Sequence, residues 1–64
     1  MTIGVYLLEQ RLERAQYLLR ASTMRIENIG KEVGFKSISH FGKQFHRYTG
    51  VLPKDYRHRA VLSE

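Results

Sequence analysis

The 64 residues contain no cysteine and no tryptophan, a single proline, and only six acidic side chains against eleven lysines and arginines. Without cysteine, no disulfide or thiolate–metal framework can supplement the core, and a reducing compartment such as the cytoplasm is the natural fit. Long apolar runs are also lacking. The longest, IGVYLL at residues 3–8, ends at Glu9 and has no basic residue before it, so it reads as neither a membrane span nor a signal peptide. No sustained alternation of apolar and polar residues suggests a strand. Nor is there a nucleophile–base pair at useful spacing, a phosphate-cradling glycine loop or a metal-ligand cluster, so the chain is not expected to be an enzyme or to carry a cofactor. His40 and His46, six positions apart, would point about 120° away from each other on a helix and could not share a metal.

What is present fits one small folded domain. Hydrophobic residues make up 42% of the chain and charged ones 27%, a composition of globular and not disordered segments. A chain this short buries only about 60% of the surface its unfolded form exposes, which leaves its stability marginal. The net charge of +5 is unevenly placed. Residues 1–35 hold five basic and four acidic side chains, whereas 36–64 hold six and two. That excess attracts phosphate-rich partners, though many small domains are basic for no partner's sake.

Helical periodicity dominates the chain. Val5, Leu8, Leu12, Ala15 and Leu19 recur at steps of three and four, predicting an amphipathic helix over 3–21 with one apolar face. Ser22 and Thr23 are suited to stop it and cap the next. Ile26, Ile29, Gly30 and Val33 then predict a short helix ended by Gly34 in a left-handed conformation, after which Phe35 enters the core. Ser37 suits the N-cap of a third helix over 38–48, in which Ile38, Phe41, Phe45 and Tyr48 form an apolar stripe read as core. Ser39, His40, Lys43, His46 and Arg47 lie opposite. Gly50 closes this helix, and Pro53 suits the first turn of another over 53–60. The expected fold is all-α, homeodomain-like, with about four helices and a helix-turn-helix unit over 26–49.

A short helix, a sharp glycine turn and a second helix with an apolar back and a basic front is the arrangement whose second helix enters the major groove of DNA. Ser39 and His40 can donate to or accept from base edges, and Lys43 can donate to guanine O6 and N7. Lys36, Arg47, Lys54, Arg57 and Arg59 lie at or beyond the edges of that face, where contacts go to phosphates and fix register. A small residue at Gly30 lets the two helices approach closely. Each position also has a bland reading: Ser39 as a plain surface serine, Lys43 and Arg47 as solvated charges on an exposed helix.

The run IENIGKEVGFKSISHFGKQFHRYTGVLPKDYR resembles the second helix-turn-helix and signature region of AraC/XylS-type transcription regulators. Ile26, Ile29, Val33, Gly34, Phe35, Ser39, Phe41, Lys43, Phe45, Gly50, Pro53, Tyr56 and Arg57 all match that pattern. The first helix is similar to the family's linker helix through Tyr6, Leu7, Arg11, Leu12, Ala15, Leu18 and Leu19. The resemblance implies sequence-specific binding to bacterial double-stranded promoter DNA, with the helix from Ser37 or Ile38 in a major groove. By position, Ser39, His40 and Lys43 match the family's base-contacting sites, and Lys36, Ser37 and Arg57 lie near its backbone-contacting ones. The chain departs from the pattern at Gly30, usually alanine, at Gly42, usually serine, at Leu52, usually a Ser or Thr cap, and at His46, usually basic.

The family's binding unit has two such motifs joined by the linker helix, and TIGVYL echoes LPKDYR as the tail of a motif. That echo makes residues 1–6 the end of a first motif whose body is absent, and the chain a fragment. No small-molecule ligand is expected in this segment. A rival reading makes it a protein-interaction module docking on RNA polymerase or a neighbouring regulatory domain.

Overall fold

Hydroxyls and glycines divide the chain into helices where local chemistry requires it. Ser22 Oγ donates to the Leu18 carbonyl at 2.7 Å and accepts from the Met24 amide at 3.3 Å, drawing the backbone out of the helix before it. Ser37, extended at φ −140°, accepts the amide of His40 at 3.1 Å, which satisfies one of the free donors at a helix start. Gly34 and Gly50 take φ of 105° and 84°, a region that side chains disfavour. At Gly34 the Phe35 amide reaches back to the Gly30 carbonyl at 2.8 Å and the Gly34 amide to that of Lys31 at 3.1 Å. This paired closure is a Schellman motif.

The computed structural model describes residues 3–62, with Ile3, Val61 and Leu62 described by backbone alone. Its helices are α1 (Ile3–Ala21), α2 (Ile26–Glu32), α3 (Ile38–Thr49) and α4 (Pro53–Leu62). The fold is all-α, and no strand occurs among the described residues. Of the segment read as the tail of an earlier motif, residues 3–6 form the start of α1; Met1 and Thr2 lie outside the described residues. The start of α2 differs from expectation. Neither Ser22 nor Thr23 caps it; Arg25 occupies the N-cap without a side-chain hydrogen bond.

The core lies where α1 crosses the three shorter helices. Leu12, Ala15, Leu18 and Leu19 of α1 meet Ile29, Val33, Phe35, Phe41 and Phe45. A run of rings threads it: Phe35 against Phe41 at 5.3 Å between centroids, Phe41 against Phe45 at 5.7 Å, and Phe45 against Tyr56 of α4 at 5.5 Å. Gly30 is buried where α2 meets α3, and a Cβ there would sit 3.1 Å from the Phe41 ring. The close approach is thus onto an aromatic side chain.

Two apolar stripes are shorter than their periodicity suggests. Val5 is 45% exposed and Leu8 only half-buried, because the three short helices cover α1 from Leu12 onward. On α3 the stripe narrows to Phe41 and Phe45, and its ends, Ile38 and Tyr48, are 52% and 42% exposed. Those two residues lie at the two ends of α3, one turn beyond the Phe pair, so a contact centred on that pair leaves both at its rim. Tyr48 instead donates its hydroxyl to Glu13 of α1 at 3.4 Å. Desolvation, and then the Glu13 and Glu9 carboxylates, push its phenol above the ordinary value.

Candidate nucleic-acid interface

Phe41 and Phe45 pin α3 from behind, so its opposite side faces outward along the whole helix. Ser39, His40, Lys43, His46 and Arg47 are all exposed there. The residues expected to contact bases fall into two groups. Ser39 and Lys43 line a shallow open depression together with Ile38, Gly42, His46 and Leu52. His40 stands on the other shoulder, its ring set edge-on to the buried Phe35 at 5.4 Å between centroids. That contact ties the imidazole to the core and limits the directions it can take.

Among the residues expected at phosphates, Lys36 precedes the α3 cap, Arg47 lies on the last turn of α3, and Lys54 on the first turn of α4; all three are exposed. Ser37 is exposed, with its hydroxyl engaged as the α3 cap. Between Lys36 and Lys54 the sequence contains no Asp or Glu. Among the described residues the one ion pair, Arg25 with Glu27 at 4.0 Å, lies elsewhere. Four exposed cations, Lys36, Lys43, Arg47 and Lys54, therefore lie on α3 or close to its ends, and among the described residues none of them makes an ion pair. Arg59 lies away from that set, in a cleft between α1 and α4 lined also by Glu13, Arg20 and Tyr56.

Arg57, expected at a phosphate, has its side chain engaged within the fold. Its Nε donates to the Leu19 carbonyl at 3.1 Å, Nη1 to Met24 at 2.6 Å and Nη2 to Ser22 at 3.1 Å. These carbonyls belong to the end of α1 and the connection to α2, where helix termination leaves acceptors unpaired and negative potential collects. The guanidinium is held half-buried as a clasp between α4 and the end of α1. Arginine serves here because its planar fork offers donors in three directions at once.

Sequence reasoning named Gly42 and Leu52 only as departures from the family pattern and Ile38 only as part of the apolar stripe; it did not bring the three together, and it missed the carboxylate-free run. A mid-helix glycine and the absence of acid between residues 36 and 54 were both legible signals. Ile38 carried none, since an apolar residue at its spacing reads as core, and Leu52 stood out only as a missing cap.

A recognition-type second helix pinned by aromatics, set off by a Schellman turn from a short first helix, defines a helix-turn-helix domain. Residues 1–59 match the family model described as a helix-turn-helix domain, and the chain belongs to this family, in its AraC type. It is similar to the HTH-type transcriptional activator RhaR of Salmonella arizonae and of Salmonella paratyphi B, each 41% identical over all 64 residues. The chain spans 23% of the length of those relatives. Among solved structures it is similar to the C-terminal domain of the two-component response regulator yesN from Fusobacterium nucleatum. That likeness has a TM-score of 0.86 and 33% identity, covering 89% of this chain and 55% of the other. The family is one of DNA-binding domains of transcription regulators, and no helix among the described residues is long and apolar enough to cross a membrane.

Proposed function

We propose that this chain binds double-stranded DNA sequence-specifically as part of a bacterial AraC-type transcription regulator, with α3 lying in a major groove. The observation that carries the reading is the outward face of α3. Ser39 and Lys43 are presented from a helix anchored on Phe41 and Phe45, and Lys43 is one of four exposed cations, with Lys36, Arg47 and Lys54, that make no ion pair among the described residues. Ser39, His40 and Lys43 are assigned to base edges, and Lys36, Arg47 and Lys54 to phosphates, with Ser37 supporting the backbone contact from the helix start. Arg57 holds the scaffold and is left out of the contact set.

One motif covers one groove segment and buries roughly 600–1,000 Å² of protein. Binding is therefore weak, with Kd on the order of 10⁻⁴–10⁻⁶ M at physiological salt. A fluorescence titration across salt tests the reading: neutralising three to four phosphates gives a log–log slope of about −3. A slope near zero removes DNA from the account. The double change Lys43→Ala with His40→Ala is expected to abolish sequence preference. If preference survives it, α3 is not reading bases, and docking on RNA polymerase or a neighbouring domain becomes the better account.

A further inference from the structure

Gly42 is the interior residue of α3 with no evident structural reason to be glycine. It lies in the middle of a twelve-residue helix, where glycine weakens the helix relative to alanine. Its conformation is helical, since the positive-φ glycines are Gly34 and Gly50. A Cβ built on it would meet nothing within 4 Å. Packing and backbone geometry, which account for Gly30, Gly34 and Gly50, therefore leave Gly42 unexplained. What its bare backbone creates is the floor of the depression beside Ser39 and Lys43. Ile38 and Leu52, about half exposed, wall it, and His46 stands at its edge.

We propose that this depression is a specificity pocket for the 5-methyl group of a thymine, with Gly42 as the residue that opens it. The inference rests on the DNA-binding reading and deepens it. A thymine presents an apolar methyl and the O4 acceptor side by side in the major groove. The depression offers the complementary pair, apolar walls from Ile38 and Leu52 beside the donors of Lys43 and Ser39. A glycine floor lets the base edge approach the helix backbone closely, the use to which glycine is put where a ligand must come near. Cytosine lacks the methyl and turns an amino donor toward the lysine, so the site discriminates on two counts.

The test starts from duplexes that the chain itself enriches from a random-sequence pool. Each thymine of the enriched site is replaced in turn by deoxyuridine, which removes the methyl and nothing else. At one position this is expected to weaken binding about fourfold, the effect of losing one buried methyl-sized group. Gly42→Gln, which fills the depression with a good helix former, is expected to reduce that discrimination to less than about twofold. Gly42→Ala raises the melting temperature by roughly 2–8 °C, so any loss of selectivity in it does not come from unfolding. The pocket is overturned if every deoxyuridine duplex binds like its parent, if Gly42→Gln keeps the discrimination, or if the pool enriches no sequence. In the first two cases the DNA-binding reading stands as long as binding still weakens with salt and with Lys43→Ala; in the third, sequence-specific binding falls with the pocket and only salt-dependent, non-specific binding is left. Absence of salt-dependent binding overturns both.

Discussion

Arg57 and Tyr48 show how one side chain's role depends on partners far along the chain. Arg57→Ala leaves three carbonyls without their charged donor and is expected to cost about 2–3 kcal/mol in urea unfolding. Arg57→Lys should recover only part of that, since an ammonium on a flexible stem cannot meet three divergent acceptors. A purely phosphate-contacting arginine would leave urea stability unchanged, so the measurement separates the two roles. For Tyr48, the fold raises the phenol pKa above its ordinary value of 10.0 and so favours the neutral form. Its contribution is fully present below that ordinary value and is lost as pH rises through the folded one. In an ultraviolet titration of the four tyrosines, Tyr48→Phe should remove a late-titrating phenol. If it removes an early one, the Glu13 contact is misassigned.

At the scale of helices, local rules go far and then stop at coverage. Ser37, Gly34, Gly50 and Pro53 mark ends through cap and turn chemistry that needs no tertiary partner, which is why the four-helix, all-α reading was legible. Whether a periodic apolar residue is buried depends instead on what lies over it. Val5 belongs to the same stripe as Leu12, yet the shorter helices do not reach it; Ile38 and Tyr48 flank a contact only two phenylalanines wide. The outward side of α3 was legible as its polar, basic face. The clasp made by Arg57 was not, because its three carbonyl acceptors lie 33 to 38 positions back along the chain. The same uneven coverage predicts uneven protection in α1. Amides of Leu7–Gln10 should exchange at least about tenfold faster than those of Ala15–Leu19. Uniform protection along α1 would mean that something further covers its first half in solution.

Across the whole molecule, the cationic face and the core share one axis. The rings of Phe35, Phe41, Phe45 and Tyr56 run from beneath the α2–α3 turn to α4, and His40 rests on the first of them. The exposed His40 is therefore mounted on the same aromatic row that holds the last helix. This suits a domain whose size leaves little stability to spare, because ordering the core also orders the outward face.

The Arg57 clasp gives this arrangement a consequence for degradation. Leu19 and Arg57 are 38 positions apart, so an enzyme that trims the chain back past Arg57 also uncaps the end of α1. In limited trypsin digestion, fragments cut at Lys54, which lose Arg57, should be cleaved next at Arg20 or Arg25 and should never accumulate, whereas an intermediate ending at Arg57 keeps the clasp and should persist.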